Sequence, residues 1–201
     1  MPTSLPEVEA HLKSIGLGFE RSPADESVIV LGFPMNHYKD SDGDHHAWVL
    51  VRVADEGKWV RIVVPEAYNL KDCKFKGATL AALSEICFRR RSVQCGYDPR
   101  DGEVVYSMDM WVLDGALTEL QLHVLLRQLL STLDELDPVV RHAMETGTVN
   151  FELAARDSDD DDSEEAEVTQ EMAQLVEEFG GLEALRAAVE ARRGHAPKKA
   201  S

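Results

Sequence analysis

Residues 102–136 read GEVVYSMDMWVLDGALTELQLHVLLRQLLSTLDEL, and this stretch decides the fold. Its first part predicts a strand that ends at Asp114 and Gly115, and a long helix follows at once. Thr118 and Gln121 form a Thr-x-x-Gln capping box, which satisfies free amides in the first turn of a helix. Six residues then recur at helical spacing and form one broad apolar face: Leu122, Leu125, Leu126, Leu129, Leu130 and Leu133. No other segment is as long and as apolar, so we expect the sheet to pack against this helix.

The segments before this stretch carry patterns of short helices and strands. Ser4 and Glu7 form a second capping box and open a short helix that Gly16 ends. Strand patterns follow at residues 19–22, 27–33, 47–54 and 58–64, of which the first is the weakest. The Asp55-Glu56-Gly57 connection between the last two is typical of a hairpin.

The segments from residue 79 onward again carry patterns of helices and strands. Thr79 is predicted to cap a helix that runs to about residue 88, and strands are predicted at 92–97 and 103–112. After the long helix, Asp137 and Pro138 predict a separate short helix that ends at Gly147. The order of elements, α-β-β-β-α-β-β-α, favours an α+β fold with an antiparallel sheet and helices packed against it.

Composition divides the chain of 201 residues into three parts. Residues 1–150 carry 23 acidic and 15 basic side chains, a net charge of −8, and residues 151–201 carry 14 and 6, again −8. The sequence therefore predicts a folded domain over 1–150, an acidic flexible linker over 151–167 and an amphipathic helical tail over 168–201. A surface this acidic repels phosphates, so nucleic acid and anionic membranes are not expected as primary partners.

The predicted location is the cytoplasm. The three cysteines are odd in number and lack Cys-x-x-Cys spacing, which favours reduced thiols over a disulfide framework. The first residues lack the basic and apolar regions of a signal peptide. No apolar run approaches the roughly 18 residues that a membrane-spanning helix needs.

The predicted strands are apolar on both faces, which is unusual for an antiparallel sheet with helices on one side. Either helices cover both faces, or a second copy or another protein covers one. A partner-binding set follows from this pattern, and its members are Trp48, Trp59, Trp111, Leu31 and Phe33. The alternative is that the three tryptophans belong to the core.

The order of elements, with the residues that end the domain, resembles the YbjN family, whose fold is similar to that of class I type III secretion chaperones. The residues that carry the resemblance are DPRDGEVVY at 98–106 and the Leu-Asp-Gly-Ala step with its Leu-rich helix at 113–136. The resemblance covers about residues 1–147. It implies a non-enzymatic α+β domain that often dimerises and binds a protein segment or acts in regulation, and it brings no catalytic residues.

Three further groups of side chains are candidate sites, and each also has a purely structural interpretation. His37, His45 and His46 lie near Asp40, Asp42 and Asp44, but their spacing fits no known metal motif and favours a polar loop. Cys87 and Cys95 are either redox partners or buried thiols. The arginines at 89–91 either bind a phosphate or an acidic peptide, or end a helix. No catalytic residue, metal site or cofactor is predicted.

The sequence thus favours a cytoplasmic protein-interaction module, chaperone-like or regulatory, that forms a homodimer or binds a protein partner. Two alternatives stay open: a signalling regulator with the acidic tail as its switch, and an enzyme whose site the sequence does not show. The tail helix is expected either to dock on its own domain or to recruit a partner.

Overall fold

The computed structural model describes residues 2–90 and 92–155, and its helices and strands follow the predicted order. The elements are α1 (Leu5–Ser14), β1 (Glu20–Arg21), β2 (Val28–Pro34), β3 (His46–Ala54), β4 (Trp59–Asn69), α2 (Lys76–Arg89), β5 (Gln94–Tyr97), β6 (Glu103–Trp111) and α3 (Glu119–Thr146). Short 3-10 turns lie at Asp55–Gly57 and Phe151–Leu153. The predicted α+β class, with an antiparallel sheet and helices packed against it, is confirmed.

The six strands form one sheet in the order β1-β2-β3-β4-β6-β5, and every pairing is antiparallel. The Asp55–Gly57 turn joins β3 to β4 as the predicted hairpin. A register shift follows Val64 in β4, where the chain passes Pro65 and Glu66, and pairing with β6 resumes at Tyr68. A bulge of this kind bends a strand and increases its local twist.

All three helices contribute to a single core on one face of the sheet. From the strands this core takes Ile29, Leu31, Val49, Val51, Val60, Ile62, Val104, Tyr106 and Met108. Val8 and Leu12 of α1, Leu83 and Ile86 of α2, and the leucines of α3 pack against them. Five of the six predicted leucines of α3 are buried, and Leu130 is partly buried against the same core.

The predicted capping boxes open both helices. Gln121 donates its backbone N–H to Thr118 Oγ1 over 3.2 Å, and Thr118 donates its own N–H to Gln121 Oε1 over 2.9 Å. Ser4 and Glu7 make the same reciprocal pair at α1. The cap predicted for α2 is wrong, because α2 begins at Lys76. Thr79 lies inside its first turn, where it is fully buried and donates its hydroxyl to the Phe75 carbonyl.

The separate helix predicted at Pro138 does not exist, because α3 runs without interruption from Glu119 to Thr146 and ends at Gly147. A proline inside a helix costs about 3 kcal/mol, since it has no N–H and crowds the preceding turn. Val139 and Val140 directly after it are fully buried, so continued packing offsets that cost. The Asp137 carboxylate does not cap a helix either, because it accepts hydrogen bonds from Tyr68 Oη and Arg141 Nε.

A buried carboxylate fixes α3 to the loop that follows β2. Asp134 accepts the backbone N–H groups of Asn36, His37 and Tyr38, the last two over 2.7 and 2.8 Å to Oδ1. Hydrogen bonds to a charged acceptor are roughly twice as strong as neutral ones. One side chain of the long helix therefore sets the path of the loop that joins β2 to β3.

The end of the described chain stays close to α3. Ala155 donates its backbone N–H to the Glu135 carbonyl over 2.8 Å, and Phe151 packs against the core. Predictions for the remainder of the acidic linker and for the tail at 168–201 lie outside the described residues. Within residues 2–90 and 92–155, no helix is long and apolar enough to cross a membrane.

We predict that Asp134→Ala lowers the free energy of unfolding by about 2–4 kcal/mol, because three backbone donors lose a buried charged acceptor. Urea unfolding followed by circular dichroism measures the change. Glu145→Ala, an exposed acidic position on the same helix, is the matched control and should change stability by less than about 0.5 kcal/mol. Equal stability of the two variants would show that Asp134 does not anchor the loop.

Candidate functional site

The face of the sheet opposite the core is not covered by any helix within the described part of the chain. We call it the open face and define it by Val30, Trp48, Leu50, Trp59, Arg61, Val63, Val105, Ser107, Asp109 and Trp111. These residues share one face because directly paired residues in a sheet project to the same side and alternate along each strand. All three tryptophans of the protein lie on it.

A cross-strand tryptophan pair forms one end of the open face. Trp59 of β4 lies opposite Trp111 of β6, and their ring centroids are 6.4 Å apart with planes tilted by 37°. Trp111 is 61% exposed, whereas Trp59 is half-buried. An aromatic pair at this separation gains about 0.5–1.5 kcal/mol beyond the area it buries. The pair therefore presents a preformed aromatic surface to solvent.

The third tryptophan lies at the other end of the same face. Trp48 is six residues along β3 from Ala54, the residue paired with Trp59, which is about 20 Å in a strand. Its ring packs edge-on against His46 with centroids 4.5 Å apart, and it is 54% exposed.

The two rings lie over Gly32, the residue opposite Trp48 on β2. A Cβ at Gly32 would come within 2.7 Å of His46 Nε2 and 3.2 Å of Trp48 Cζ3. The missing side chain thus makes the space that the His46 and Trp48 rings occupy. A larger residue there would push the indole ring away from the sheet.

A row of aliphatic side chains crosses the strands beside Trp48. Val30, Leu50 and Val63 are paired across β2, β3 and β4, and all three are half-buried. Ser107 of β6 continues the row. Together with Trp48, these half-buried aliphatic residues make an apolar strip, which is typical of interaction surfaces.

A row of charged side chains separates this strip from the aromatic pair. Arg61 lies opposite Asp109, and Arg61 Nε is 3.6 Å from Asp109 Oδ1, an ion pair too long for a hydrogen bond. Both atoms are buried and have no hydrogen-bond partner among the described residues. On the neighbouring strand, Arg52 pairs with Asp25 over 2.8 Å. The open face is therefore apolar at both ends and polar, with balanced charge, between them.

The structure does not bring the whole predicted binding set together. Leu31 is 1% exposed and faces the helices with Ile29, and Phe33 packs on the same core. Residues 31 and 33 have the opposite parity along β2 from Val30 and Gly32, so they project to the covered side. Only the three tryptophans of the set share the open face.

Two other candidate sites from the sequence are the histidines with their neighbouring aspartates and the arginines at the end of α2. Among the described residues, no three His, Cys, Asp or Glu side chains lie close enough to hold a metal ion. Asp40 instead accepts the backbone N–H groups of Asp42 and Asp44 within its own loop. Arg89 pairs with Glu85 and Arg90 with Glu135, so both arginines at the end of α2 are engaged in ion pairs; residue 91 lies outside the described residues.

A match to a protein-family model shows which family the chain belongs to. A family model, YbjN, described as "Putative bacterial sensory transduction regulator", matches residues 4–142. The chain belongs to the YbjN family. The resemblance carried by residues 98–106 and 113–136 is thereby confirmed. No curated protein matches the sequence.

Solved structures with a similar fold include YbjN from E. coli, which is 16% identical with a TM-score of 0.49 and covers 67% of this chain and 91% of that one. A chain of the ExsC–ExsE complex is 14% identical with a TM-score of 0.46, covering 69% and 96%. A chain of the HopA1–SchA chaperone–effector complex is 10% identical with a TM-score of 0.42, covering 66% and 95%. Membership of the YbjN family rests on the sequence match over 4–142.

We predict that Trp111→Ala lowers the free energy of unfolding by no more than about 1.5 kcal/mol, the gain of its ring pair with Trp59, because most of the side chain is already in water. Met108→Ala, three residues earlier on β6 but 1% exposed in the core, should cost about 2–5 kcal/mol. Chemical unfolding of the two variants measures the difference. A loss at Trp111 as large as at Met108 would mean that the indole supports the fold rather than a surface function.

Proposed function

We propose that this protein is a non-enzymatic, cytoplasmic interaction module whose open face binds an apolar segment of another protein. The observation that supports the proposal is the position of all three tryptophans, two of them exposed and Trp59 half-buried, on the one sheet face that the described helices leave uncovered. Tryptophan is the residue most enriched at the energetic centres of protein interfaces. Because the core is well packed without these tryptophans, their position favours a role in recognition over a role in stability.

An apolar strip of this kind can drive association. Burying about 600 Å² of apolar surface would contribute roughly 15 kcal/mol at about 25 cal/mol per Å², before the cost of association is subtracted. The aliphatic row and Trp48 supply apolar contacts at one end of the open face, and the Trp59–Trp111 pair supplies them at the other. A segment lying along the strands would contact both ends at once.

Three perturbed groups of the core, Tyr68, Tyr106 and Asp137, lie where packing rather than chemistry accounts for their pKa shifts. Burial raises the pKa values of Tyr68 and Tyr106 well above their ordinary range, and it also raises the pKa of Asp137. These groups lie in the core between α3 and the sheet rather than in a cleft that a substrate could enter. Their shifts are a consequence of packing.

A second copy of the chain is part of the proposal. A sheet face with exposed indoles is self-complementary when two copies meet across a two-fold axis, since each patch then covers its equivalent. The description of the family as a sensory transduction regulator supports a role exerted through such contacts, with the acidic tail as a candidate switch.

Selection from a random peptide display library tests segment binding directly. We expect the wild-type protein to enrich peptides with aromatic and aliphatic side chains. Their binding should shift the tryptophan emission to shorter wavelength, because all of the protein's indoles lie on the open face. Trp48→Glu should weaken the selected peptides at least tenfold, about 1.4 kcal/mol.

Phe88→Glu is the matched control for this experiment, since Phe88 is an aromatic side chain that is 85% exposed but lies on α2. It should leave peptide affinity and the emission shift unchanged. Failure to enrich apolar peptides, or equal loss in both variants, would contradict binding at the open face.

Sedimentation velocity over a range of protein concentrations tests self-association. We expect the wild-type protein to shift from monomer towards dimer as concentration rises, and Trp48→Glu to remain monomeric because a charge in an apolar interface must be desolvated. Phe88→Glu should behave like the wild type. A wild-type protein that stays monomeric at every concentration would contradict self-association. Segment binding is tested separately by the peptide experiment.

A further inference from the structure

Two of the three cysteines meet where α2 ends above β5. Cys87 is in the last turn of α2, and Cys95 lies in β5 with its side chain on the core face, opposite Tyr106. Cys95 donates its backbone N–H to Cys87 Sγ over 3.1 Å. Cys73 is engaged elsewhere, near the Thr79 hydroxyl and the Met144 carbonyl.

The distance between the two side chains suits a covalent bond. The Cys95 amide nitrogen, 3.1 Å from Cys87 Sγ, is only two covalent bonds from Cys95 Cβ. A disulfide needs its sulfurs about 2 Å apart, and the short distance from Cys87 Sγ to the Cys95 backbone places the two side chains close enough for us to propose that bond. Cys87 is half-buried, and Phe88 beside it is mostly exposed, which leaves this end of α2 open to small reagents.

The two thiols have different chemical characters. Hydrogen bonding from the Cys95 thiol, with a smaller contribution from the Cys95 amide, lowers the pKa of Cys87 to about 6. The same thiol–thiol contact and burial raise the pKa of Cys95 far above its ordinary value. These shifts favour the thiolate at Cys87 and the neutral thiol at Cys95, the pairing of an attacking and a resolving cysteine.

A third polar group lies beside the pair. Tyr106 is fully buried, and its hydroxyl has no hydrogen-bond partner among the described residues. Cys95 lies directly opposite Tyr106 in the pairing of β5 with β6. A buried hydroxyl next to a thiol can donate to the sulfur as negative charge develops there.

We propose that Cys87 and Cys95 form a redox-active dithiol that closes to an intramolecular disulfide when it meets a hydroperoxide and reopens when it meets a small thiol. This site is independent of the open face, because both cysteines lie on the helix-covered side of the sheet.

Closure proceeds in two balanced steps. The Cys87 thiolate attacks one oxygen of hydrogen peroxide, the O–O bond breaks, and Cys87 sulfenic acid forms. The departing hydroxide becomes water by taking up a proton equivalent to the one that Cys87 released when it ionised. Cys95 sulfur then attacks Cys87 sulfur, and its proton leaves with the hydroxyl group as water. In sum, two thiols lose two electrons, and one peroxide is reduced to two waters. Two small thiols reopen the bond: the first forms a mixed disulfide, and the second releases it as the disulfide of the small thiol.

Peptide mapping of the oxidised full-length protein tests the proposal. Arg89, Arg90 and Arg91 separate the two cysteines, so trypsin places them in different peptides. After treatment with equimolar hydrogen peroxide and blocking of free thiols, we expect a linked pair containing residues 77–89 and 92–100 that separates on reduction with dithiothreitol. Before oxidation, Cys87 should react with iodoacetamide roughly tenfold faster than Cys73 at neutral pH.

Cys73→Ser is the matched control and should form the same linked pair. Cys95→Ser should instead accumulate the sulfenic acid at Cys87, which dimedone captures, and Cys87→Ser should give neither product. Wild-type protein in which Cys87 and Cys95 both remain alkylatable after peroxide, or in which Cys73 forms the disulfide, would overturn the proposal. Since the key measurement uses the wild-type chain, it does not depend on whether a variant folds.

Discussion

The leucine-rich stripe of α3 can be buried on one side of the sheet only, and the rest of the structure follows from that constraint. A helix 28 residues long spans the strands and directs its leucines into a single layer, which α1 and α2 extend. The strands, however, are apolar at both alternating sets of positions. Once one set is buried under the helices, the other must face solvent or another molecule, and this is where the tryptophans lie.

Local chemistry was enough to predict most of the fold from the sequence. The capping boxes at Ser4 and Thr118 and the turn at 55–57 are decided by residues close together in the chain, and each forms as predicted. The helix break predicted at Pro138 is wrong because its local cost is outweighed by burial of Val139 and Val140, which depends on distant partners. The cap predicted at Thr79 is wrong for a local reason, since a buried hydroxyl that bonds within the first turn resembles a cap in sequence.

The candidate surface was predictable only in part. Alternation along β2 shows that Leu31 and Phe33 share a side, but it does not say which side the helices cover. The open face also depends on cross-strand register, which brings Arg61 to Asp109 and Leu50 to Val63 from separate segments. A single sequence does not fix that alignment. The space over Gly32 was likewise invisible, because it is defined by the rings of His46 and Trp48.

The closeness of Trp59 and Trp111 has a spectroscopic consequence. Two indoles with centroids 6.4 Å apart have electronic transitions that couple through space, and a tilt of 37° gives the coupled transitions optical activity. The far-ultraviolet spectrum of the folded protein should therefore contain an aromatic exciton couplet superimposed on the helix and sheet bands. Secondary-structure content fitted from such a spectrum would be biased, and the couplet itself would report the alignment of β4 with β6 in solution.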